Sequence, residues 1–329
     1  MQSLNQFLKF PNLCDDLRIY ALTFLDHQTL INYSQCAEQC DIDIQRFRTR
    51  APDEVSMCEK DSDLSDGWSI IVTLEYKQRG NNGRDRTESS CFEYCDWSCY
   101  NETLEKIEEH FLKVFKYVKN RNTKELTIDI AKWPSGLFNH GFFPEIKNLT
   151  VYTWRTMFNN FIKFAKTTEL RLNELTLRHP TDRLDMPRKT EKMREVMQSE
   201  FFKQAESVWV ETKCELNEED FLGLQNPKIY FELDSHKISS EAIRKKVNEL
   251  NNTGTLQHIL ISCPFWSQPK LEKIYPLEYQ QEYARQQRRA RRQGRRFNER
   301  SANQVTIGAV NVMIRCNDWD LIITNNGDD

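Results

Sequence analysis

Leu126-Thr127-Ile128-Asp129-Ile130 and Leu149-Thr150-Val151-Tyr152 decide how the chain is read, because the same short apolar alternation keeps returning after them. Runs of this length, rich in β-branched residues and alternating in polarity, predict strands. Leu170-Arg171-Leu172, Val208-Trp209-Val210, Ile229-Tyr230-Phe231-Glu232-Leu233 and His258-Ile259-Leu260-Ile261 continue the series, with successive starts 23, 21, 38, 21 and 29 residues apart. Helical spacings lie between them: Leu104, Ile107, Phe111, Leu112 and Phe115, then Phe158, Phe161 and Ile162, then Ile243, Val247 and Leu250. The widest gap holds Pro180 to Gln204, which predicts an extra helix. Strand and helix in this rhythm imply parallel strands joined by right-handed crossovers, with the helices outside.

The body so defined is α/β and leucine-rich-repeat-like in its spacing, with a broad face suited to holding another protein. Upstream, Trp68-Ser69-Ile70-Ile71-Val72-Thr73-Leu74-Glu75-Tyr76 has strand composition and Gly80-Asn81-Asn82-Gly83 reads as a loop. Ala51 to Asp66 is polar and charged, and is expected to be a linker over 51–66, which places one αβ domain at 67–329. Downstream, Val305 to Arg315 and Trp319 to Thr324 predict two strands joined by Cys316-Asn317-Asp318, a terminal β-hairpin that caps the sheet.

Composition bounds the function. At 329 residues, 39% apolar and 29% charged, the chain is globular, and its 10 glycines include no phosphate-cradling motif. The start, Met1-Gln2-Ser3-Leu4-Asn5-Gln6, lacks a signal segment, and no run of apolar residues is long enough for a membrane helix. A soluble protein of the cytoplasm, the nucleus or both is expected. Its 10 cysteines are then reduced thiols, and the sequons at Asn32, Asn101, Asn148 and Asn251 carry no sugar.

The first 50 residues read as a separate helical module. Pro11 suits a helix entry, and Leu13, Leu17, Tyr20, Ala21, Phe24 and Leu25 fall on one stripe. Asp26 can cap a second helix carrying Leu30, Tyr33 and Ala37. Short helices of this kind expose more apolar surface than they bury among themselves. Phe10-Pro11 followed by Leu13 and Leu17, Leu25 closing the first helix, and Leu30, Ser34 and Cys36 in the second together resemble an F-box. Further on, Ile238-Ser239-Ser240-Glu241-Ala242-Ile243-Arg244-Lys245-Lys246-Val247-Asn248-Glu249-Leu250, with Gly254, Leu256 and Ile259-Leu260-Ile261, resembles the F-box-associated domain of nematode F-box proteins. Physically this is a Ser-capped amphipathic helix, a Gly-containing turn and a strand.

The resemblance implies a substrate-recognition adaptor of a Skp1-cullin-F-box ubiquitin ligase. Phe10, Pro11, Leu13, Leu17, Tyr20, Ala21, Leu25, Leu30 and Tyr33 would dock a Skp1-type linker, and through it a cullin, while the αβ body holds a target protein. Neither cofactor nor catalytic group is implied. The expected class is therefore not an enzyme.

Two local features compete with that reading. An Arg-rich insertion at 284–300 carries Arg285, Arg288, Arg289, Arg291, Arg292, Arg295, Arg296 and Arg300 against one acid, Glu299, so from Arg285 to Arg300 it holds +7 in a chain of −3. Such a basic patch suits phosphates, a nuclear address or the acidic remainder of its own chain. It supports the alternative of a ubiquitin-independent protein-interaction or nucleic-acid-associated scaffold, although no RNP, KH or zinc-finger pattern accompanies it. Cys91, Cys95 and Cys99 recur every four residues, which on a helix would stack three thiols. Zinc sites use C-x₂-C pairs instead, and the intervening aromatics predict a packed segment with no metal. The six histidines, at 27, 110, 140, 179, 236 and 258, form no metalloprotease or deaminase signature.

Overall fold

A computed structural model describes residue 29 and residues 51–61, 68–79, 85–95, 100–115, 123–153, 155–178, 190–212, 214–232, 235–253, 258–262, 275–293, 304–307, 312–316 and 320–325. The architecture is mixed α/β, with eight helices among the described residues. It divides into two compact units, Met1–Lys147 and Asn148–Asp329, so the division falls inside the stretch 67–329.

In the first unit the sheet runs β4 (Glu125–Asp129), β1 (Glu54–Asp61), β2 (Trp68–Arg79), β3 (Asp85–Cys95). β1 is parallel to β4, and the other two pairings are antiparallel. The expected linker at 51–66 is thus corrected: Glu54–Asp61 is an inner strand. Only Val55 and Met57 alternate as apolar residues there, and the surrounding acids mask them in the sequence, yet both are buried opposite Leu126 and Ile128. Asp53 fixes where the strand begins. Its carboxylate accepts from the Lys77 N–H at 2.7 Å and pairs with Lys124 Nζ at 3.1 Å, while its carbonyl accepts from Lys124 and Glu125 N–H.

Helix α1 (Tyr100–Phe115) has Ile107, Phe111 and Phe115 buried, as their spacing predicts. Phe111 and Phe115 meet Phe142 and Phe143, which follow the short helix α2 (Ser135–Asn139), at ring-centroid distances of 5.3 to 6.1 Å. Each such ring removes a large apolar area from water, and the tilted contacts add about 0.5–1.5 kcal/mol apiece.

The second unit carries the mostly parallel sheet. β5 (Asn148–Tyr152), β6 (Glu174–Arg178), β7 (Ser207–Glu211), β9 (Lys228–Glu232) and β11 (His258–Ser262) are neighbours in that order, every pairing parallel. Strands laid side by side in sequence order by right-handed crossovers put every crossover on the same face. The crossovers contain α3 (Arg155–Thr167), α4 (Thr190–Met197) with α5 (Glu200–Lys203), α6 (Glu218–Leu222), and α7 (Ser240–Thr253). Two short strands, β8 (Glu215–Asn217) and β10 (Ser235–Lys237), pair in a separate parallel sheet. Phe158, Phe161 and Ile162 of α3 and Ile243, Val247 and Leu250 of α7 are buried, as their sequence spacing requires.

Register makes the strands equivalent. Leu149, Leu175, Val208, Ile229 and Ile259 are aligned, and two residues later so are Val151, Leu177, Val210, Phe231 and Ile261; all ten are buried. Three residues ahead of the first row, Ile146, Leu172, Ala205 and Asn226 are buried as well. This explains the one displaced strand. Leu170-Arg171-Leu172 is not a strand, because Leu172 takes the buried place ahead of the sheet and β6 starts at Glu174.

At the far side β14 (Asp320–Asn325) pairs antiparallel with β11, followed by β13 (Val312–Cys316) and β12 (Gln304–Ile307), each antiparallel to its neighbour. The run Val305 to Arg315, expected as one strand of a hairpin, is thus split between β12 and β13. Helix α8 (Pro276–Arg292) precedes β12 in the chain and contacts it.

Candidate interaction faces

Alternation along β5 to β11 leaves one side of each strand facing away from the buried rows. The middle positions there are Thr150, Thr176, Trp209, Tyr230 and Leu260, and Leu260 is paired with Ile322 of β14. Thr176 is buried; the others keep solvent exposure, and Trp209 is 38% exposed. Trp209 and Tyr230 sit side by side on adjacent strands with ring centroids 4.5 Å apart. A large aromatic pair at the surface of a sheet is costly to leave in water and is the kind of group that anchors interfaces. Polar groups frame it. Arg178 Nε donates to Glu211 Oε2 at 3.1 Å at one end of the strands, with exposed Glu232 beside them, and exposed Lys228 lies at the other.

The elements behind this face are held by specific polar contacts. Asn217 Oδ1 accepts from Asp220 N–H at 2.8 Å and so caps α6, and Ser199 Oγ accepts from Phe202 N–H at 3.3 Å and caps α5. Arg194 Nε donates to both oxygens of the nearly buried Asp220, at 3.0 and 3.1 Å, tying α4 to α6. Ser239 Oγ accepts from Ala242 N–H at 3.1 Å, the cap expected for the helix that includes Ile243 and Val247. Asn226 Nδ2 donates to the carbonyls of Phe202 and Ala205 at 2.7 and 2.9 Å, fastening the approach to β9 to the segment between α5 and β7. The sequence reading missed Asn226. Its signal is position: it stands three residues before Ile229, where the other strands have Ile146, Leu172 and Ala205.

Of the basic patch, Arg285, Arg288, Arg289, Arg291 and Arg292 are all on α8 and all exposed. Arg295, Arg296 and Arg300 lie outside the described residues. So do Phe10, Pro11, Leu13, Leu17, Tyr20, Ala21, Leu25, Leu30 and Tyr33 of the helical module, and the loop at Gly80-Asn81-Asn82-Gly83. Cys91 and Cys95 are on β3, not on a helix, so their four-residue spacing spreads them along a strand; Cys99 is outside the described residues. The aromatics between them pack, with the Phe92 and Tyr94 rings 4.2 and 6.1 Å from that of His110. Among the described residues no three of His, Cys, Asp and Glu are grouped to hold a metal ion, and no helix is long and apolar enough to cross a membrane.

No family model, no curated protein and no solved structure matches this chain.

Proposed function

We propose that the chain is the substrate-recognition adaptor of a Skp1-cullin-F-box ubiquitin ligase, with a leucine-rich-repeat-like body. The F-box-like module at 1–50 docks the Skp1-type linker, through Phe10, Pro11, Leu13 and the apolar residues that follow. The face bearing Trp209 and Tyr230 holds the target. The observation that supports this reading is the pairing of those two rings on a sheet whose helical crossovers all belong to the other face. The F-box-like spacing of the first 50 residues supplies the other half.

Such an adaptor accelerates ubiquitin transfer without a reacting group of its own. It holds the target's lysines near a charged conjugating enzyme and converts a bimolecular encounter into a local one. Co-precipitation with a Skp1-type protein tests the reading directly. Wild type is expected to retain the linker and Pro11→Ala with Leu13→Ala to lose it; equal recovery of both would count against it.

A further inference from the structure

Helix α8 uses its side chains less for packing than any other long helix described. It runs for 17 residues, contacts β12, and has no buried residue; Leu277 is 69% exposed. Its two ends are stabilised locally. Tyr275, just before it, is buried beneath the Arg244 guanidinium at 6.0 Å, Pro276 opens the first turn, and Glu278 there and Arg289, Arg291 and Arg292 in the last turn complement the helix dipole. Those end effects do not account for Arg285 and Arg288.

Arg285, Arg288, Arg289 and Arg292 stand at helical positions i, i+3, i+4 and i+7, so they share one face about 10 Å long. With Gln281, Gln286 and two acids, Glu278 and Glu282, they line a groove of about 960 Å³. Glu282 reaches Arg285 at 3.6 Å. Among the described residues no carboxylate pairs with Arg288, Arg289 or Arg292, and Arg288 Nε is turned back on the Ala284 carbonyl at 3.1 Å. Like charges at this spacing repel unless an anion lies over them.

The choice of residue narrows the anion. From Pro276 to Arg300 there are eight arginines and no lysine, whereas the rest of the chain has more lysines than arginines. An acidic protein surface would accept the guanidinium fork through its carboxylates, but it offers the guanidinium plane no unpaired bases to stack on. A membrane would need an apolar stripe, and the other positions of α8 are mostly glutamine, tyrosine and alanine. Guanidinium differs from ammonium in two ways at once: it forks onto phosphate oxygens, and its plane stacks on unpaired bases. We infer that the Arg285–Arg292 face of α8 binds RNA at unpaired, loop-like segments, gripping the backbone and stacking on exposed bases. This surface is separate from the sheet face assigned to the target and does not depend on the adaptor reading.

The test uses the full chain and a fluorescein-labelled RNA stem-loop, followed by anisotropy across a salt series. Binding should weaken with salt at a log–log slope of about −3, the value for four or five phosphates on a single strand. The informative variant replaces Arg285, Arg288, Arg289 and Arg292 by lysine, which keeps the charge and the helix propensity. It should bind the stem-loop at least about tenfold more weakly, the loss of roughly one stacked base, with an unchanged circular-dichroism melt. Equal affinity of the lysine variant would overturn the inference, as would polyglutamate displacing the RNA as well as unlabelled stem-loop does, or a DNA duplex binding as tightly.

Discussion

Lys246 is 1% exposed, and its ammonium donates to the carbonyls of Leu222 and Leu224 at 3.1 and 2.5 Å, closing the end of α6 from α7. Burial holds its pKa below the ordinary 10.5, against the pull of Glu249 at 3.6 Å. In the window from that lowered value up to 10.5 the unfolded chain keeps a proton the folded chain has lost, so stability rises with pH there. Tyr275 acts with the opposite sign. Burial pushes it from 10.0 up to about 12, with Arg244 opposing, so the folded chain keeps a proton that the unfolded chain loses, and stability falls as pH climbs from 10 to 12. Two substitutions separate the contributions. Lys246→Met leaves two carbonyls without a donor and should cost about 1–3 kcal/mol at neutral pH, while flattening the rise below 10.5. Tyr275→Phe should leave neutral stability nearly unchanged and flatten the fall between 10 and 12. Urea midpoints across an alkaline pH series measure both.

At the scale of elements, what was legible in the sequence was what local periodicity controls. Phe158, Phe161 and Ile162, or Ile243, Val247 and Leu250, declare a helix face by spacing alone, and β5, β7, β9 and β11 declare themselves by alternation. What failed depended on partners. β1 shows only Val55 and Met57 among acids, and it is a strand because β2 and β4 flank it on both sides. β6 lies at Glu174 rather than Leu170 because the chain leaving α3 must first seat Leu172. Asn226 belongs to the same class. A polar residue just ahead of a strand reads as a turn until its amide is seen to satisfy two carbonyls of the preceding turn. Asn226→Ala should therefore destabilise the second unit by about 2–3 kcal/mol, since at least the Ala205 carbonyl would be left buried and unpaired. Chemical denaturation reads the loss. Asn226→Asp should be at least as costly, because a carboxylate cannot donate to those carbonyls.

For the whole molecule, the consequence of laying β5, β6, β7, β9 and β11 in sequence order is that one sheet face is committed to the interior and the other is not. Neighbouring residues then have opposite fates. Val210 is buried and Trp209, the residue before it, is exposed; one strand over, Phe231 is buried and Tyr230 half-buried. Val210→Lys removes about 1.5–3 kcal/mol of apolar burial and adds the desolvation of a charge, several kcal/mol more, enough to unfold a marginally stable unit. Trp209→Lys forfeits the ring contact with Tyr230, about 0.5–1.5 kcal/mol, and leaves its charge in water. The pair therefore distinguishes fold from function. Soluble, cooperatively melting Trp209→Lys protein is expected where Val210→Lys gives none. In the adaptor reading that folded variant should still recover a Skp1-type linker while no longer capturing the target that wild type does. If folded Trp209→Lys captures the same target as well as wild type does, the open face is not where the target sits.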